Sequence, residues 1–120
     1  MKIYVLLIVT VLCFASCYYN SEEGLYGIVP CDTTDVRYSK QITDIISANC
    51  LVCHGGDASN GGGNKLGEYN VLKTLALSGH LLASVTHEPG HQPMPKNAAK
   101  LPDCEIAQIR TWIRNGALAN

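Results

Sequence analysis

Cys50-Leu51-Val52-Cys53-His54 constrains this chain more than any other stretch. Two cysteines separated by two residues, with a histidine directly after the second, form the attachment signature of c-type haem. Each part has a physical job. The thiols add across the two vinyl groups of the porphyrin, and the two-residue gap matches the spacing of those vinyls along one edge of the ring. Once that edge is pinned, the imidazole that follows falls under the iron as an axial ligand. Cys50, Cys53 and His54 are therefore candidate cofactor-binding residues, for one covalent haem c.

An iron that only carries electrons needs both axial positions filled, so that it neither binds outside ligands nor rearranges when its charge changes. A thioether sulfur is soft, stabilises Fe(II) and raises the potential. Beyond Met1 the chain has one methionine, Met94, set in Gln92-Pro93-Met94-Pro95. The prolines stiffen that loop and disfavour helix before them. Met94 is the candidate second ligand to the metal, and the bland alternative is a flexible core filler. His91 on the same loop, and His80 and His87 flanking a short helical stretch, compete for the role. The usual fate of a lone histidine is the surface.

The start of the chain reads as an export signal. Met1-Lys2 is followed by a run from Ile3 to Phe14 that is apolar apart from Thr10, then Ala15-Ser16-Cys17. A positive start, an apolar run of about 7–15 residues and small residues at the cut describe a signal peptide. The run is shorter than the roughly 20 residues that span a bilayer; the alternative is a short uncleaved anchor. Six cysteines then sort themselves. Cys13 sits in the leader, Cys17 follows the small residues, and Cys50 and Cys53 belong to the haem motif. Cys31 and Cys104 remain as an even pair in an oxidising compartment. A disulfide between them would close a loop of about 70 residues, worth roughly 4 kcal/mol in the chain-entropy model; two free thiols or other pairings are the alternatives.

The rest of the chain reads as helices. With 120 residues it holds one small domain plus the N-terminal extra, and its net charge of -1 suggests no surface for nucleic acid. The expected divisions are a signal peptide over 1–16, a tether over 17–34 and a domain over 35–120. Asp32-Thr33-Thr34-Asp35 marks a turn. Ile42, Ile45 and Ile46 set a helix from Ser39, as N-cap, to Asn49. The glycine-rich stretch from Gly55 to Asn64 is expected to be a flexible loop that wraps close to the porphyrin edge. It is not a phosphate loop, because no Lys-Ser/Thr ending follows the glycines. A second helix is expected over about 70–78, stopped by Gly79, and a short one over 80–85. Asp103 is the expected N-cap of a last helix over 104–115, with Ile106, Ile109, Trp112 and Ile113 on its buried face.

In this order the elements resemble a class I cytochrome c domain: helix, Cys50-x-x-Cys53-His54, glycine loop, Leu66–Tyr69, Met94-Pro95, then Ile109-x-x-Trp112-Ile113-x-x-Gly116-Ala117. The resemblance covers about Asp35 to Asn120. It is narrower still to small haem-c lipoproteins of double-membrane bacteria that carry an extra cysteine pair. It implies an all-α, cytochrome c-like fold around one haem, with the first and last helices packed across each other. Phe14-Ala15-Ser16-Cys17 resembles a lipobox, which implies diacylglycerol on Cys17 and a membrane tether. Tyr18 in place of aspartate leans toward the outer membrane, on the periplasmic side. Members of the family often place a proline soon after the histidine, whose carbonyl accepts a hydrogen bond from the imidazole. No proline lies between His54 and Pro89, so the residues name no partner to orient His54.

The function expected from these residues is electron carriage, not enzymatic catalysis, with no catalytic residues. Redox proteins such as a respiratory complex, an oxidase or reductase, or a dehydrogenase would be its partners, through small transient contacts. The alternative is a haem-based sensor or enzyme that binds a gas or peroxide. A third class keeps Cys50 and Cys53 as a thiol–disulfide pair or as zinc ligands. The βαβ pattern and the second ligand pair that such sites need are missing.

Overall fold

Apolar residues recur at helical spacing through the part of the chain that the computed structural model describes, residues 30–120, and every regular element there is helical. No strand forms among the described residues. A π-helical turn, Tyr38–Ile42, runs into α1 (Thr43–Asn49) and then α2 (Leu51–His54). A 3₁₀ turn, Ser59–Gly61, precedes α3 (Tyr69–Leu77), α4 (His80–Val85) and α5 (Asp103–Arg114). The expected all-α class holds for these residues.

Helix starts are where local reading and structure part. Ser39 is not the N-cap of the first helix: Arg37 takes that place in extended backbone. The first N–H groups of a helix lack intrahelical partners. Here Gln41 reaches back to accept the Arg37 N–H (3.0 Å). Asn120 accepts from Tyr38 through its side chain and from Ser39 through its main-chain oxygen, both at 2.9 Å. An acceptor from the far end of the chain thus replaces the expected hydroxyl cap. The last helix likewise begins one residue early. Pro102 holds its N-cap position, and Asp103 pairs with Lys100 (3.0 Å) instead of capping. Asp103 and Glu105 still place negative charge at the positive end of the helix dipole.

One core joins the first and last helices of the described residues. Ile42, Ile45 and Ile46 share it with Leu72, Ile106, Ile109 and Trp112, and Ile113 packs against it. Trp112 is 1% exposed, and cutting such a side chain to alanine costs about 3–5 kcal/mol. Its indole N–H donates to the Leu118 carbonyl (2.9 Å), and the Tyr69 hydroxyl donates to the Ala117 carbonyl (2.8 Å). The Tyr38 ring lies 4.9 Å from Tyr69 and 5.9 Å from Trp112 between centroids. These bonds satisfy the indole of buried Trp112 and the hydroxyl of half-buried Tyr69.

Cys31 and Cys104 are joined, with sulfurs 2.11 Å apart and Cα atoms 5.4 Å apart. The bond anchors the segment before the first helix to the first turn of α5. Gln108 adds a hydrogen bond to the Asp32 carbonyl (3.1 Å), and Asp32 closes the expected turn through the Thr34 N–H (2.9 Å). One compact unit spans Cys31 to Asn120. The expected signal peptide and Cys17 lie outside the described residues. No helix among the described residues is long and apolar enough to cross a membrane.

Candidate cofactor site

Cys50 interrupts the helical run between α1 and α2, and the short α2 then carries the rest of the motif. The Cys50 carbonyl accepts the N–H of Cys53 (3.2 Å) and of His54 (2.9 Å). One helical turn therefore groups the two thiols and the imidazole. Cys50 is half-buried, Cys53 is exposed, and neither is in a disulfide. Burial pushes the Cys50 thiol up to about 11, with the Glu105 carboxylate adding to the effect. A reactive dithiol needs the opposite shift, toward the thiolate.

His54 is held at both its ring and its backbone. Its Nδ1 lies 3.0 Å from the main-chain carbonyl of Asn64. A carbonyl only accepts, so Nδ1 carries the proton and Nε2 keeps its lone pair for a metal. The His54 carbonyl in turn accepts the Leu66 N–H (3.1 Å). The partner missing from the sequence is thus a backbone atom ten positions on, in the stretch expected to be a flexible loop. That stretch is folded instead. Ala58 is buried in a left-handed conformation (φ 55°), and its carbonyl accepts from Gly61 (2.9 Å) and Gly63 (3.0 Å). Asp57 accepts the Ser59 N–H (3.1 Å), which holds its carboxyl below the usual carboxylate range.

Gly61 is the residue that lets the loop close on the ring. A Cβ there would come within 2.4 Å of His54 Nδ1 and 2.7 Å of the Cys53 carbonyl oxygen. Real side chains do not approach that closely, so any other residue displaces the imidazole or the loop. The glycine-rich composition was the only sequence signal for this contact. It did not say which glycine meets the ring.

Met94 is held separately, on the segment between α4 and α5. It is half-buried. Its N–H donates to the Ser84 carbonyl (3.0 Å), and its own carbonyl lies 3.1 Å from His87 Nε2. His87 is thereby committed to the Met94 backbone, a role the sequence did not suggest. His80 and His91 are exposed, with ring centroids 5.6 Å apart.

Among the described residues, no group of three or more His, Cys, Asp or Glu side chains gathers in a way that would hold a metal ion. A porphyrin does not ask for such a group, since it brings four nitrogen ligands and leaves one position per face to the protein. Two free thiols, an imidazole with its Nε2 lone pair open and a half-buried thioether are a donor set that suits it. Two surface cavities lie beside this region. One of about 250 Å³ borders Leu51, Leu66 and Leu72; the other, about 470 Å³, is lined by Thr33, Thr86 and residues of α5. Neither is lined by Cys50, Cys53, His54 or Met94. No family model, curated protein or solved structure matches this chain.

Proposed function

We propose that this protein is a one-electron carrier, not an enzyme, that holds one haem c through thioether bonds at Cys50 and Cys53. In this reading His54 and Met94 are the axial ligands. The protein is exported, tethered by a lipid on Cys17 at the periplasmic side of a bacterial membrane, the outer one, and exchanges electrons with other redox proteins. The haem supplies an iron that alternates between Fe(III) and Fe(II).

The chain's own residues do the rest. Cys50 and Cys53 retain the ring. The Asn64 carbonyl sets the tautomer and the tilt of His54, and electron density drawn toward Nδ1–H makes the imidazole a better ligand. The prolines on either side of Met94 limit how its backbone can move.

The observation that carries the reading is the Nδ1 bond of His54 within the Cys-x-x-Cys-His turn. It leaves Nε2 as the atom to be used, and a histidine with no ligand to meet does not need Gly61 packed against its ring. The raised Cys50 thiol counts against a thiol-exchange role.

The test is a pyridine haemochrome spectrum of protein matured in a host able to attach haem c, taken after denaturing extraction. The expected result is one haem per chain with both vinyls saturated. Cys50→Ala and Cys53→Ala should each leave one vinyl unsaturated. Wild-type protein from which extraction removes all haem, or that matures without haem, would refute the proposal.

A further inference from the structure

Helix α4 ends in a Schellman motif with an unusual residue at its centre. The Glu88 N–H donates to the Ala83 carbonyl (2.9 Å) and the His87 N–H to the Ser84 carbonyl (3.2 Å). These are the two bonds of that motif, and they place His87 at the position just past the C-cap. Its φ is +57°, in the left-handed region where glycine is the usual residue and a side chain costs energy. The stop of the helix thus needs no histidine. Yet the imidazole is present, half-buried, with Nε2 3.1 Å from the Met94 carbonyl.

The same turn holds Met94 a second time. The Ser84 carbonyl, which already takes the His87 N–H, accepts the Met94 N–H as well (3.0 Å). Both main-chain polar groups of Met94 are therefore tied to the end of one helix, one by backbone and one by the His87 ring. The carbonyl acceptor requires Nε2 to carry the proton.

We infer that His87 is a positioning residue for Met94: its imidazole clamps the Met94 backbone to the end of α4 and so holds the sulfur on the iron. The inference rests on the haem reading for the identity of what Met94 meets, but not for the clamp itself. With the clamp in place, the sulfur leaves the iron rarely, and outside ligands find the metal closed. Without it, the loop from Glu88 to Met94 opens more often. One hydrogen bond of ordinary strength changes such an opening equilibrium about fivefold.

The choice of substitution follows from the backbone. His87→Gly suits the left-handed position and removes only the ring. His87→Gln keeps an N–H donor but carries the same φ penalty as the native residue. Three measurements on the protein as purified are made: urea stability, hydrogen exchange of the Met94 amide, and the rate of carbon monoxide binding to the reduced haem protein. In His87→Gly, stability is expected to stay level or rise, while Met94 amide exchange and carbon monoxide binding both speed up about fivefold. His87→Gln should restore much of the slow exchange and slow binding. A residue that merely stops the helix would give none of this split.

Met94→Ala is the control that separates the two readings. It should give fast carbon monoxide binding and abolish the weak long-wavelength band of ferric iron bound to methionine sulfur. If Met94→Ala changes neither, the ligand assignment fails, and the clamp is still judged by amide exchange. If Met94 amide exchange is the same in His87→Gly as in the native protein, the clamp is overturned whatever the iron does.

Discussion

The segments Cys50–Leu66 and Ser84–Met94 each present a candidate ligand, and they hold it in opposite ways. His54 is held by its side chain: the Asn64 carbonyl takes its Nδ1–H and Gly61 packs beside the ring. Met94 is held by its backbone: the Ser84 carbonyl and the His87 ring take its N–H and C=O, and its sulfur stays free. An imidazole has two nitrogens, so one can be fixed while the other remains a ligand. A thioether has a single donor atom, so only the main chain is left to restrain. The two segments teach that the means of orientation follows from the number of polar atoms the ligand can spare.

The largest expected effect separates the segments by what they depend on. Removing the Cys31–Cys104 disulfide, which spans 73 positions, should cost about 4 kcal/mol in urea unfolding of the double-serine variant. Its cross-link meets the first turn of α5, next to the chain that follows Met94. Hydrogen exchange should therefore quicken more across 84–102 than across 50–66. Equal change in both would break the distinction.

A smaller and more local effect is expected at Gly61. Gly61→Ala forces a methyl group against His54 Nδ1 and should cost about 1–3 kcal/mol, measured by urea unfolding. It should also disturb the His54 ring resonance, while the Met94 amide keeps its native exchange rate. Loss at Met94 would show that the two segments are coupled, contrary to their separate anchoring.

Acid should act on the first segment through Asp57. The Ser59 N–H favours the ionised carboxylate, so the folded group is held below its ordinary value. The unfolded chain then takes up the proton at higher pH than the folded one. The contribution is complete above about pH 4 and is lost as pH falls through the folded value. Asp57→Asn should flatten the acid limb of urea midpoints measured between about pH 5 and about pH 2.5, and an unchanged slope would refute this.

The smallest effect is the sharpest. Asn64→Ala keeps the carbonyl that His54 uses and should change stability by less than about 0.5 kcal/mol, with the haem spectrum unaltered. A large spectral change would mean that the Asn64 side chain, not its backbone, orients the histidine.

Local spacing and punctuation carry several elements. The short helix over 80–85, the second helix to within one residue and the stop at Gly79 follow from apolar spacing and glycine. The Cys31–Cys104 pairing followed from compartment and counting. The first and last helix starts did not follow, because the Ser39 N–H goes to the Asn120 carbonyl and the Asp103 carboxylate pairs with Lys100. The loop after His54 looked flexible because its glycines advertise freedom. Ala58 shows how that freedom is spent, since a buried residue at its centre collects the loop's hydrogen bonds.

The sequence by itself determined the chemistry on offer: two thiols and an imidazole at haem spacing, one stiffened methionine, an even pair of spare cysteines and helices of known face. Side-chain identity carries those facts, and spacing along one helical turn preserves them. Only the tertiary structure decided what orients each candidate ligand. The Asn64 carbonyl and the Ser84 carbonyl are backbone atoms that every residue possesses, so no letter marks them. Position alone makes them partners, and position is set by where the chain folds back: around Ala58 for His54, and against the end of α4 for Met94.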